Sequence, residues 1–166
     1  MQVVQYWLNQ LSSLGKNILR IGVDLMGSDT SPQVLFEAVL QAVELLEGSD
    51  QFVVFLTKEI QETLNTSNPQ IEFKLVTDLI SMSDDPLYAV RHKKKSSILK
   101  AIKELKKNRL SAFISAGNTG ALIAAATLYL PKFAGIQRPA LLALLPTQKG
   151  PVAVIDVGGN ISCKAK

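Results

Sequence analysis

The chain predicts an α/β fold built on a largely parallel sheet. Short apolar runs recur along the 166 residues, and segments with helical periodicity separate them. Three of the apolar runs end in turns rich in glycine and polar residues, at Met26–Pro32, Ser115–Gly120 and Asp156–Asn160. In a parallel sheet such turns gather on one rim, where ligands bind.

Ile18 to Leu25 reads as the first strand, and Met26–Pro32 as a turn. Ser31 is placed to cap a helix with Pro32 at its first position. That helix runs to about Glu47, with Val34, Leu35, Ala38, Val39, Ala42, Leu45 and Leu46 on its predicted buried side, and Gly48 ends it. Gln51–Thr57 is a strand buried on both faces, because Phe52–Leu56 is continuously apolar. Lys58–Leu64 reads as a short helix and Ile71–Val76 as a strand. Met82–Pro86 is a break, and Leu87–His92 a helical turn. Ser96–Asn108 is a clear amphipathic helix, with Ile98, Leu99, Ile102 and Leu105 apolar. Ser111–Ser115 is a strand, Ala121–Leu130 a small-residue helix, and Pro139–Leu145 and Pro151–Val157 are two further strands.

Residues 1–17 stand apart as an N-terminal extension. Val4, Leu8, Leu11 and Leu14 follow helical spacing, which suits an amphipathic helix on a membrane surface or one packed on its own domain or a partner. The stretch does not read as a signal peptide, because Gln2, Gln5, Asn9 and Gln10 interrupt it. No apolar run reaches the roughly 18–20 residues of a membrane span. The single cysteine, Cys163, excludes an intramolecular disulfide and fits a cytoplasmic location.

Net charge is +4, unevenly spread. Arg91–Arg109 holds nine of the eighteen Lys and Arg residues against one acid, Glu104. Such a patch suits nucleic acid, an acidic membrane or an acidic protein, or is simply a solvated helix face. Nucleic acid is disfavoured, with only Tyr88 and Phe113 nearby to stack bases.

Common nucleophile–base machinery is excluded on composition. The one histidine, His92, sits among cations that oppose its protonation during base catalysis. One His and one Cys also rule against a zinc site of those ligands, so no metal and no cofactor is expected. Walker A and the dinucleotide fingerprint are absent. Chemistry in which the substrate brings its own nucleophile, as inorganic phosphate can, remains open.

The segment Ser115-Ala116-Gly117-Asn118-Thr119-Gly120 links a strand to a helix start. A helix start offers unpaired N–H groups and the positive end of a dipole, which favour an anion. Ser115, Gly117, Asn118, Thr119 and Gly120 are therefore the candidate phosphate cradle. Gly27, with Asp24 and Asp29, lines a second turn, and Asp156 with Asn160 a third.

In order, these motifs resemble the bacterial phosphate acyltransferase family. The matching segments are Val23–Asp29 with Pro32, Asp85-Pro86 with Ala89-Val90-Arg91, Lys94–Ser97, Ser115–Leu122, Gly135–Leu141, Pro146, Gly150 and the Asp156 turn. The resemblance covers about residues 18–163. It implies a three-layer α/β/α sandwich related to isocitrate and isopropylmalate dehydrogenases. It implies attack of inorganic phosphate on the thioester of acyl-[acyl carrier protein], without a cofactor, giving acyl phosphate. Further implied are a membrane glycerol-3-phosphate acyltransferase as recipient, homodimers, and peripheral association with the cytoplasmic face of the membrane. On this resemblance Asn118, Arg138, Lys95 and Asp156 are the candidate catalytic residues. Asp24, Gly27, Asp29, Arg91, Ser115, Gly117, Thr119, Gly120 and Asn160 are the candidate binding residues. Ser28 and Gly159 depart from the family pattern, which has Gly and Ala there. Family members are about twice this length, so residues 18–166 are expected to form the N-terminal part of the domain, truncated before its later active-site turns.

Overall fold

The computed structural model describes residues 18–46, 48–132, 134–136, 140–148 and 150–156. The amphipathic helix expected in residues 1–17 lies outside them, as do Arg138 and Asn160. The chain forms two compact units, Met1–Leu130 and Pro131–Lys166.

The first unit carries strands β1 (Arg20–Asp24), β2 (Gln51–Leu56), β3 (Ile71–Leu75) and β4 (Ala112–Ser115). They form one parallel sheet in the order β3-β2-β1-β4. Its helices are α1 (Pro32–Val43), α2 (Lys58–Thr63), α3 (Pro86–His92), α4 (Ser97–Lys106) and α5 (Thr119–Tyr129).

Central strand β2 shows why the layers stack as they do. Phe52, Val54 and Leu56 point to one face, where they pack with Phe36, Val39 and Val43 of α1. Val53 and Phe55 point to the other, where they meet Ala101 of α4 and Leu110. Helices therefore cover both faces, giving the expected three-layer α/β/α arrangement. A third cluster joins Val90 of α3, Leu99 and Ile102 of α4, and Ala121 and Ala125 of α5. Phe36–Phe73 on one face and Phe55–Phe113 on the other bring their rings to 5.8 and 6.0 Å.

The buried stripe of α1 differs from the predicted one. Phe36, Val39 and Val43 face the core, whereas Val34 is 53% exposed. The sheet contact selects an i, i+3, i+7 line that the periodicity alone leaves undecided.

Caps fix the helix starts. Ser31 accepts from Val34 N–H at 3.4 Å with Pro32 following, as predicted, and Asp85 accepts from Tyr88 N–H at 2.7 Å. Helix α4 ends with Asn108 at φ 54°, its N–H on Leu105 O and that of Arg109 on Glu104 O. This paired closure satisfies the last carbonyls and turns the chain toward β4.

The second unit holds β5 (Leu142–Leu145) and β6 (Val152–Ile155), paired antiparallel. Six residues separate them, and Thr147 and Gly150 exchange backbone hydrogen bonds within that turn. So short a link cannot make the crossover that parallel strands need, of about a dozen residues or more.

A candidate anion-binding rim at the strand ends

All four strands of the first unit run parallel, so their carboxyl ends share one rim. Asp24 ends β1 and lies in register with Ser115, which ends β4. Ser115 Oγ donates to Asp24 Oδ2 at 2.9 Å, Met26 N–H donates to Oδ1 at 2.8 Å, and Gly117 N–H donates to Ser115 Oγ at 3.1 Å. Asp24 is 3% exposed. Burial pushes its carboxyl above the usual carboxylate range, and hydrogen bonds from Ser97, Met26 and Ser115 only partly oppose that. Among the described residues no basic side chain forms an ion pair with it.

Asp24 therefore sits beneath the rim and organises it. Gly117 fits the same geometry, because a Cβ there would lie 3.2 Å from Met26 O and 3.3 Å from Ser115 Oγ. Gly27 has φ +73°, and a Cβ would stand 1.9 Å from Ile80 O. The turn after β1 is thus pressed onto the segment after β3.

Asn118 caps α5, accepting from Ala121 N–H at 2.9 Å through Oδ1. Its Nδ2 faces three carbonyls, Ser81 O at 3.1 Å, Met82 O at 3.3 Å and Asp84 O at 3.1 Å. The side chain is buried and occupied at both ends. Gly120 is close-packed as well: a Cβ there would fall 2.6 Å from Pro86 Cγ. Both glycines of the Ser115–Gly120 turn thus face protein atoms. Thr119, at the first position of α5, is the exposed polar side chain of the turn.

Two further loops reach this rim. Asp84 pairs with Lys93, which holds its carboxyl below the usual range, and Asp84 also accepts from Ser81 N–H at 2.8 Å. Lys95 N–H donates to Asp78 Oδ2 at 2.8 Å, and Asp78 bridges Ser96 in parallel register. The Lys95 side chain itself is exposed, as are Arg91 on α3 and Asp29 after β1. Asp156 belongs to the second unit, where its N–H donates to Leu141 O at 2.7 Å.

Ser97 and Asp78 were not among the candidates from sequence. The pair Ser96-Ser97 ahead of an amphipathic run is the signal that marks this helix start. Ser96 is fully buried, and its Oγ has no hydrogen-bond partner. Among the described residues no group of three or more His, Cys, Asp or Glu could hold a metal ion. Among them, too, no helix is long and apolar enough to cross a membrane.

The family model described as "Fatty acid synthesis protein" matches residues 19–166. The chain belongs to that family. Its relatives include phosphate acyltransferases. That of Chlamydia pneumoniae is 39% identical over 155 residues, covering 88% of this chain and 48% of the relative. That of Anaplasma phagocytophilum (strain HZ) is 36% identical, covering 93% and 47%. That of Dictyoglomus turgidum (strain DSM 6724 / Z-1310) is 38% identical, covering 88% and 44%. The chain spans about half the length of these curated relatives. Their name agrees with the motif order along Asp24–Asp156.

Proposed function

We propose that this chain supplies the phosphate-holding wall of a phosphate acyltransferase. The observation that carries the reading is the juxtaposition of the α5 start with the buried Asp24–Ser115–Gly117 network. That network fixes the turn, and the first turn of an eleven-residue helix then offers N–H groups and a dipole to an anion. Thr119 adds an exposed hydroxyl, and Lys95 or Arg91 a cation for phosphate or for the developing oxyanion. Asn118 acts by holding the turn rather than by touching the anion.

The reaction needs no activated side chain. A phosphate oxygen attacks the thioester carbonyl of an acyl-[acyl carrier protein], forming a C–O bond. The C–S bond then breaks, and the proton of hydrogen phosphate passes to the departing thiolate. The products are acyl phosphate and free carrier. The protein's part is to position two reactants and stabilise the tetrahedral oxyanion. Asp29 completes the rim in this reading. The acyl phosphate would pass to a membrane glycerol-3-phosphate acyltransferase, with the protein acting as a homodimer at the cytoplasmic face.

The test is an assay of acyl phosphate formed from acyl carrier protein thioester and phosphate, with wild-type chain and with Thr119→Val and Lys95→Ala. Phosphate-dependent turnover that falls in both variants supports the cradle. Turnover unchanged in both would remove it. A second reading rests on the basic run Arg91–Arg109: a binding module for carrier protein or membrane without turnover. Carrier binding without acyl phosphate from the wild-type chain would favour it.

A further inference from the structure

α4 and the edge strand β3 enclose a groove of about 310 Å³. Lys74 and Leu75 form one side, Lys100, Lys103 and Lys107 the other, and Phe55 the floor. Lys100 and Lys103 of α4 and Lys107, its C-terminal cap, follow i, i+3, i+7 spacing, so they form one stripe about 10 Å long. Two are held in place: Lys100 Nζ donates to Leu75 O at 2.6 Å, and Lys103 Nζ to Lys94 O at 3.5 Å. The one acid in the lining, Glu104, is engaged by Lys74 and by Arg109. Four lysines against that one acid leave the groove net positive.

We infer that this groove docks an acidic helix of a partner protein, its carboxylates spaced to meet Lys100, Lys103 and Lys107. An extended line of cations fits a row of carboxylates better than one compact anion. A membrane surface fits poorly, because the apolar face of α4, with Ile98, Leu99 and Ile102, is already buried in the core. Nucleic acid fits poorly too, since the only lining ring, Phe55, is fully buried and offers no face to a base. The partner's identity rests on the function proposed above, which makes it acyl carrier protein.

The experiment is a binding titration of the whole chain with purified acyl carrier protein, with a synthetic helical peptide bearing Glu at i, i+3 and i+7, and with anionic phosphatidylglycerol vesicles. The variants are Lys100→Glu/Lys103→Glu/Lys107→Glu, the single reversal Lys103→Glu, and Lys58→Glu on α2 as a single-reversal control outside the groove. Circular dichroism confirms folding. We expect carrier protein and peptide to bind wild type and the control alike. Raising salt from about 50 to 300 mM should weaken binding about tenfold or more, and the triple variant should weaken it at least as much. If carrier protein binds but the triple variant loses nothing, the groove is wrong and the functional reading stands. If only the peptide binds, and binds through the stripe, the groove stands and the functional reading falls. If the stripe matters for vesicles and for neither protein probe, the acidic-helix assignment is overturned.

Discussion

Ser115 Oγ donates to Asp24 Oδ2 at 2.9 Å across ninety-one residues of sequence, tying an edge strand to the central one beneath the proposed anion site. The bond only partly offsets the electrostatic cost of burying the carboxyl. Asp24 titrates above its ordinary value of 3.8 because burial disfavours the charged form. A carboxyl with a raised folded value contributes stability that is fully present below its unfolded value. That contribution is lost as pH rises through the folded value. The melting temperature of wild type relative to Asp24→Asn should therefore fall as pH rises from about 4 to 8. Thermal melts of both proteins across that window check it, and a gap that widens in favour of wild type with rising pH would contradict the assignment.

Asn118 is a structural joint, so its loss should be costly. Asn118→Ala removes the α5 cap and leaves three carbonyls short of a donor, at a cost of about 2–3 kcal/mol. Asn118→Asp keeps the cap but sets a carboxylate against those carbonyls. It should cost at least as much, although Asp is an excellent capping residue. Urea unfolding curves of the two variants decide it; an Asp variant near wild-type stability would show that capping is the whole role.

Gly27 and Gly48 separate conformational strain from steric collision. Both have positive φ, but a Cβ at Gly27 would strike Ile80 O while nothing lies within 4 Å of one at Gly48. Gly48→Ala should cost about 1 kcal/mol, and Gly27→Ala upwards of about 3 kcal/mol. Denaturation midpoints measure the difference, and equal costs would mean that the turn relaxes away from Ile80.

Glu104 carries the opposite pH signature to Asp24. Hydrogen bonding to Lys74, and then the charges of Lys74, Arg109 and Lys107, outweigh burial and lower its value. Its contribution is present above the unfolded value and lost as pH falls through the folded one. Glu104→Gln should therefore be destabilising near neutrality, and the difference from wild type should shrink in acid. Melts between about pH 7 and 3 test this, with a constant difference counting against the pairing.

Much of the fold was legible because local chemistry and tertiary structure agree. Phe52–Leu56 reads as a doubly buried strand and is one. Ser31-Pro32 announces a helix start and Ser31 caps it, whereas Asp85-Pro86, which reads only as part of a break, starts α3 by the same chemistry. The phase of α1 was not legible, because Phe36 and Val43 become core residues only through the sheet beneath them. The antiparallel pairing of β5 and β6 could have been inferred from their short connection, since no crossover fits within it. The role of Asn118 was hidden for a different reason. The three carbonyls it serves lie 34 to 37 residues upstream, and no spacing rule connects a capping side chain to a loop so distant.

The strand order has a consequence for biosynthesis. β1 is the first strand of the described chain, yet it lies between β2 and β4, and β4 pairs with it only after four helices and two strands have intervened. One side of β1 must stay open until Ala112–Ser115 has been made, and closing so long a loop makes that pairing slow. The Asp24–Ser115 contact cannot precede this closure. The turn proposed to hold the anion and the finished four-stranded sheet thus arise in the same late folding event, so a nascent chain has no such turn in place before both sides of β1 are paired.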